Sequence, residues 1–504
     1  MTKLEQPILE NKEYGPGGGI PLLKSLWEKF DLQLIFSQCG FQKHAGIPAW
    51  LMSFVYICGI IAKKTSVNQN AQFSSDSPIL NYLLKGKTVT QSAFSRFFSA
   101  PYQWLKLSVA RVSRLQETED TKLSDGDVIA LDDTKIVHPF GKKLPFLCWL
   151  FDYSNKSHVW CMNIVSTLAV LKNGLEYPLF WRFWVKQTEE DSKKSKLELS
   201  KQMLQDVRNS TTARLWVAMD RWFLCWNFFE WLQSNGFDWV TKAKKNTVLY
   251  VKSASGYKKT NPKELLATCY SKLSKLGKDA VIVIPDIYVR RPYDTLTKRG
   301  KPTRKWHYVP IAAIASTYKQ ATEPSEGLIQ EEDETATYKD AFLLISNRMD
   351  CPEEVAKVYA KRWKIEVFYR TSKQELGLTN CHSRSESAHF AHMELLFLAE
   401  TLLCFSKWEC NKEGANEALS HSQMVGYLFN ASHRVVCNDQ TIQIYYDISG
   451  AMFSRFINKF WPLTITFYYG IIKEWAMFSR FINKFWPPQL DFFLWNWYQL
   501  PTTA

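Results

Sequence analysis

The run Val358–Lys373, V-Y-A-K-R-W-K-I-E-V-F-Y-R-T-S-K, decides how the rest of this chain is read. Within it Tyr359, Arg362, Glu366 and Lys373 stand in the spacing Y-x2-R-x3-E-x6-K. On a helix of about 3.6 residues per turn these four fall within roughly 60° of one face, with Arg370 beside them. One carboxylate is thereby flanked by a phenol, a guanidinium and an ammonium. Such a surface suits holding a phosphate while a metal-bound oxygen attacks it. The same residues also fit the solvated basic face of an ordinary amphipathic helix. The surrounding chain has to separate the two readings.

Upstream, two acidic residues each end an apolar strand. Asp132 follows V-I-A-L (Val128–Leu131), and Asp220 follows L-W-V-A-M (Leu215–Met219). The ends of strands in an open α/β sheet open into a common crevice, so residues this far apart in the chain can converge there. A Glu from a packed helix completes a set of hard oxygen donors that suits Mg²⁺. Taken singly, either Asp also reads as turn or cap chemistry. In the D-D-T of Asp132-Asp133-Thr134 two carboxylates compete for one role. Successive side chains on a strand point to opposite faces, so only one of them is expected at the site. The expectation falls on Asp132, which comes directly after the apolar strand.

Around these residues the pattern is mixed. Val159–Leu171, an Asn173-Gly174 turn and Leu175–Trp184 read as a hairpin. Lys193–Asn209 and Trp222–Gln233 read as helices, with Phe237–Val240 a strand. The order around one sheet is that of an α/β core. Residues 1–119 read as helical, with a possible DNA-binding, helix-turn-helix-like segment at Ser92–Val109 and a loose start at Gly15–Gly19. The core is assigned to 120–245 and 346–400, separated by a β-rich insertion at 246–345. The insertion carries a basic stretch, Arg290–Lys305, and an acidic one, Glu331–Glu334. Residues 401–504 read as helical and aromatic, suited to dimerisation. They hold a dodecapeptide, A-M-F-S-R-F-I-N-K-F-W-P, at Ala451–Pro462 and again at Ala476–Pro487. Two copies are too few for a solenoid, and identity at every position points to a local duplication.

Bulk properties narrow the classes. With 504 residues the chain exceeds one core, and its net charge of +14 with a pI near 9.1 points to a polyanionic partner. The longest apolar run, Ala49–Ala62, is short for a membrane span of about 20 residues and reads as a buried helix. The N-terminus carries no signal-peptide pattern, and the 11 cysteines form no regular framework. A soluble, cytoplasmic protein with reduced thiols is expected. His389-x2-His392 with Cys381 and His382 lacks the C-x-x-C pairs of a zinc site and reads as packing or surface. G-P-G-G-G at Gly15–Gly19 lacks the Lys-Ser/Thr of an ATP-binding loop.

Together, the strand-ending Asp132 and Asp220, V-T-K-A-K-K-N at Val240–Asn246, and the Tyr359/Arg362/Glu366/Lys373 signature resemble the DDE transposases of bacterial insertion sequences, in the Y-R-E-K group. The likeness covers roughly residues 126–400 and includes the β-rich insertion. The resemblance implies a ribonuclease-H-like mixed sheet in which Asp132, Asp220 and Glu366 hold two Mg²⁺ ions, with Mn²⁺ able to substitute. It implies that Tyr359, Arg362 and Lys373 bind DNA phosphates, beside a flipped base that Trp306 or Tyr338 could stack. The implied partners are double-stranded DNA, both transposon ends and target, in a synaptic homodimer associated with the bacterial nucleoid and not with a membrane. Strand cleavage and strand transfer would share one site. Two other readings stay open: a stand-alone nuclease of the same fold, and a decayed or domesticated copy that only binds DNA.

Overall fold

The computed structural model of the chain describes residues 20–43, 45–141, 143–152, 156–186, 194–276, 280–296, 302–317, 341–412, 420–430, 433–437, 442–446 and 465–466. The chain divides into two compact units. One is helical, residues 1–115, 141–145 and 371–504; the other is α/β, residues 116–140 and 146–370.

The helical unit holds α1 (Ile20–Lys29), α2 (Leu32–Gln38), α3 (Ala49–Ile61), α4 (Val67–Asp76), α5 (Pro78–Leu83), α6 (Gln91–Ser99) and α7 (Trp104–Gln116), whose last residue passes into the other unit. The expected buried helix is α3, apolar on every side and enclosed almost throughout. Gly59 in α3 is required by packing: a Cβ there would meet Asn70 Oδ1 of α4 at 1.6 Å. Ser92–Val109 covers α6 and the start of α7, and its Phe94, Phe97, Phe98 and Trp104 pack inward.

In the α/β unit the sheet begins with β1 (Val128–Val137), β2 (Leu147–Asp152), β3 (Ser157–Val170) and β4 (Glu176–Trp184). β3 runs antiparallel to β1, and its other edge is shared end to end by β2 and β4. The β3–β4 turn is the expected Asn173-Gly174: Gly174 adopts φ +87°, and Asn173 Oδ1 accepts the Leu175 N–H at 2.9 Å. α8 (Lys196–Ser210) follows, started by a capping box between Ser195 and Glu198. β5 (Leu215–Met219) and β6 (Phe237–Lys242), linked by α9 (Trp226–Ser234), add parallel to β1. The order β4-β3-β1-β5-β6, with β3 reversed, is the ribonuclease-H-like core that the sequence led us to expect.

The insertion does not make a sheet of its own. β7 (Leu249–Ser253), β8 (Gly256–Thr260), α10 (Pro262–Leu276), β9 (Val281–Leu296), β10 (Pro302–Ser316) and β11 (Phe342–Ser346) extend the core sheet, β11 pairing antiparallel with β6. The resulting sheet has 11 strands. One face of the insertion is apolar and buried at Leu249, Ile287 and Val289; Arg290 and Trp306 stand exposed on the other. The acidic Glu331–Glu334 and Tyr338 lie outside the described residues.

Helix returns with α11 (Pro352–Lys361) and α12 (Trp363–Gln374), and α12 ends in the helical unit. The long helix expected from Pro352 is thus two helices. At their join the Arg362 N–H bonds to the Tyr359 carbonyl and the Ile365 N–H to the Arg362 carbonyl, three-residue spacings that tighten the turn. α11 packs on β1, β5, β6, β9, β10 and β11.

The helical unit resumes with α13 (Glu386–Lys412) and α14 (His421–Asn430). α13 is long and apolar enough to cross a membrane, yet it is almost wholly enclosed by the unit, with α3 and α6 packed along it. Its buried acids have partners: Glu394 with Arg111, Glu400 with His421 and Glu409 with Lys29. Where helix was expected further on, β12 (His433–Cys437) and β13 (Ile442–Tyr446) pair antiparallel, with β14 (Ile465–Thr466) beside β13. H-R-V-V-C and I-Q-I-Y-Y are rich in β-branched and aromatic residues, which favours strands. Both dodecapeptide copies and Gly15–Gly19 lie outside the described residues.

Candidate active site

Asp132 does not end its strand as expected, because β1 runs on to Val137 against β3; what stops at Leu131 is its parallel pairing with β5, which itself ends at Met219. The register pairs Leu131 with Met219 and Met219 with Thr241, so the next residues along form a row: Asp132, Asp220, Lys242. The buried apolar runs of β1 and β5 carry the chain straight through the core, and the first polar residue emerges at its edge. The two aspartates, 88 positions apart in the chain, thus become neighbours.

Asp132 and Asp133 part company as strand geometry requires. Asp132 Oδ2 accepts from Arg362 Nη1 at 3.1 Å, and its other oxygen accepts the Asp133 N–H at 2.8 Å. Asp133 turns to the opposite face of β1, where Lys196 Nζ and Asn163 Nδ2 hold its Oδ2 at 2.7 and 2.8 Å. Asp220 caps the single 3₁₀ turn Arg221–Phe223, accepting the Trp222 N–H at 3.4 Å.

The α11–α12 join supplies the third carboxylate. Arg362 is buried and bonds through its second terminal nitrogen to Glu366, so one guanidinium links Asp132 to Glu366. Tyr359 is also buried, whereas Lys373 is exposed near the end of α12. The four signature residues therefore do not share one environment. Tyr369, absent from the expected set, donates its hydroxyl to the Asp132 carbonyl at 2.9 Å and lies 2.7 Å from Ser166 Oγ, bracing β1 at Asp132.

The electrostatics follow from burial among like charges. Desolvation pushes Asp132 up to about 7, Asp133 and Asp220 add to the rise, and Arg362 opposes it. Burial likewise raises the Tyr359 phenol, against the pull of Arg362. Lys242 is lowered, first by burial and then by Arg362, while Asp220 and Glu366 work the other way. Its ammonium rests on the rings of Phe342 and Tyr359, 4.0 and 5.5 Å from their centroids. Lys242, the last residue of β6, lies in the quoted V-T-K-A-K-K-N, but the sequence reading gave it no role at the site.

Among the described residues no three His, Cys, Asp or Glu side chains form a ready metal-ligand array. The charge between Asp132 and Glu366 is balanced instead by Arg362. The donors nonetheless suit a hard divalent cation. They are all carboxylate oxygens, and Asp132 is held by burial among acids in a state that an added cation would relieve. The histidines near Cys381 serve packing. His389 Nε2 meets the Ser383 carbonyl at 2.7 Å, and His392 bridges the Tyr56 hydroxyl and the Gly377 carbonyl, both at 3.0 Å. Burial lowers His392 to about 4.

Comparison with known proteins bears on the same segment. The sequence matches the family described as "Transposase DDE domain" over residues 124–402. No curated protein matches the chain. A solved structure, "Cryo-EM structure of piggyBac transposase synaptic complex with hairpin DNA (SNHP)", aligns at 9% identity over 82% of this chain and 81% of that one, with a TM-score of 0.41. The family match spans more than half of the 504 residues and takes in β1, both aspartates and the α11–α12 join. The chain belongs to the DDE-domain transposases.

Proposed function

We propose that this transposase cuts and joins DNA at the ends of its own bacterial insertion sequence, by a cut-and-paste route, as a member of the Y-R-E-K group. The observation that carries this reading is the row Asp132–Asp220, just past the last parallel pair of β1 and β5, with Arg362 tying Asp132 to Glu366. Asp132, Asp220 and Glu366 would hold two Mg²⁺ or Mn²⁺ ions, which lower the pKa of a nucleophilic water and offset charge on the leaving 3′ oxygen. The protein's own groups do the rest. Arg362 exchanges Glu366 for a DNA phosphate when substrate enters, since a guanidinium matches either anion in a two-pronged geometry. Lys242 offers its ammonium to the phosphate from the end of β6, and Tyr359 and Lys373 are further residues that bind DNA.

An unpaired base would be taken by the insertion of the same unit. A cavity of about 450 Å³ is lined by Trp226, Lys244, Tyr250, Arg290 and Trp306 among others. The Arg290 guanidinium stacks on the Trp306 ring at 4.3 Å, and that indole is exposed enough to take a base on its other side. A homodimer bringing two DNA ends together completes the proposal.

The test is nicking and cutting of a plasmid carrying the DNA that flanks this gene, with Mg²⁺ or Mn²⁺, wild type beside Glu366→Gln. The expected result is discrete cuts with 3′-OH ends at inverted repeats, lost by at least about a thousandfold in the variant while DNA binding remains. Binding without cuts by the wild type would favour a repurposed DNA-binding protein. Cleavage retained by Glu366→Gln would show that another acid is the third carboxylate.

A further inference from the structure

Lys196 is oddly placed for an ordinary surface lysine. It is the first residue of α8, where a positive charge opposes the helix dipole. The capping box of Ser195 and Glu198 fixes its backbone there. Its side chain is largely buried and is committed on three sides. Nζ bonds Asp133 Oδ2 at 2.7 Å, and it lies 4.9 Å from the centre of the Trp184 ring and 5.0 Å from that of Trp222. Trp184 is on β4, Asp133 on β1, and Trp222 in the turn that Asp220 caps. The two arms that matter are next to the proposed metal ligands: Asp133 follows Asp132, and the Trp222 N–H is the donor to Asp220. Trp222 is about half exposed, so its own packing does not account for its position.

We propose that Lys196 is a positioning residue for the carboxylate pair: from the far face of β1 it ties Asp133 to Trp222 and thereby sets the spacing of Asp132 and Asp220. The ammonium is suited to this because it attracts a carboxylate and two indole faces at once, joining a strand to a turn that shares no strand hydrogen bonds with it. The proposal rests on the assignment of Asp132 and Asp220 as metal ligands, and its test is built to fail separately from that assignment.

The full-length protein would be compared with Lys196→Met, which keeps the stem and removes the charge, Lys196→Arg, which keeps the charge, and Trp222→Leu, which removes one arm from a half-exposed site. Two measurements avoid catalysis: hydrogen exchange at the amides of Arg221–Leu224, and the Ca²⁺ concentration giving a half-maximal rise in melting temperature without DNA. A third is the Mn²⁺ concentration for half-maximal cleavage. Lys196→Met and Trp222→Leu should speed exchange in the turn and raise both cation midpoints about tenfold, with affinity for DNA ends unchanged and Lys196→Arg recovering most of the loss. Unaltered exchange at Arg221–Leu224 in Lys196→Met would overturn the proposal. So would a lower melting temperature with unchanged cation midpoints, which would leave Lys196 a brace for stability alone. A wild type that shows no Ca²⁺ response would sink the metal assignment, and the exchange result would still decide the role of Lys196.

Discussion

Each unit of this molecule buries an arginine against carboxylate, and the two pairs do different work. In the helical unit Arg111 Nε meets Glu394 Oε1 at 2.9 Å, with the side chains 2% and 0% exposed. In the α/β unit Arg362 is 7% exposed, but its partners Asp132 and Glu366 are 16% and 32% exposed. The first pair is closed on all sides and is completed by Thr401 at 3.4 Å from Arg111 Nη1. The second opens at the strand ends and stands among more acids than its one guanidinium can answer. The chemistry of the groups is the same. Access and a surplus of negative charge turn one pair into a candidate site and leave the other as a core contact.

Removing each arginine should separate them most sharply. Arg111→Gln leaves Glu394 charged and enclosed, so a loss of about 3–5 kcal/mol is expected, unchanged by divalent cations. Arg362→Gln should cost less, about 1–2 kcal/mol, because water reaches its partners. Added Ca²⁺ should recover most of that loss, since another cation can take the guanidinium's place. Denaturant melts of both variants with EDTA and with Ca²⁺ check the pair. Equal rescue of the two, or of neither, would break the comparison.

The next largest effect depends on pH. Asp132 has its folded-state pKa raised to about 7 from an ordinary value near 4. Its contribution to stability is therefore full below about pH 4 and is lost as pH rises through about 7. In metal-free protein the stability of the wild type relative to Asp132→Asn should fall by about 2 kcal/mol between pH 5.5 and 8. A flat difference would mean that Arg362 neutralises Asp132 completely. The smallest effect is expected for Tyr369→Phe, which removes the hydroxyl from the Asp132 carbonyl and from Ser166. It should cost about 1 kcal/mol and lower cleavage while leaving the arginine pairs intact.

Much of this was legible in the chain, for local reasons. V-I-A-L and L-W-V-A-M are apolar runs bounded by acids, so both strands and both aspartates could be placed. The turn at Asn173-Gly174 is likewise a two-residue signal. β2 was missed although Gly141 and Pro145 before it and Ser154-Asn155 after it are turn residues, because L-C-W-L-F-D is short and has no clean alternation. The division of one helix into α11 and α12 was missed because each residue of R-W-K-I-E tolerates helix, and the tightened turn at Arg362 carries no breaker residue.

The sequence by itself determined the strands β1 and β3–β6 of the core, where charge would leave it, and that Asp132 and Asp133 must face opposite ways. It could not determine what each face would meet. That depended on a lysine 63 positions from Asp133 and an arginine 230 positions from Asp132. It also depended on the parallel register that sets Lys242 beside Asp220, and on β11 joining the insertion to β6. Propensity and alternation act over a few residues, and so can be read along the chain. The partner of a buried charge is chosen by packing across the whole sheet, and only the folded unit brings those distant groups within bonding distance.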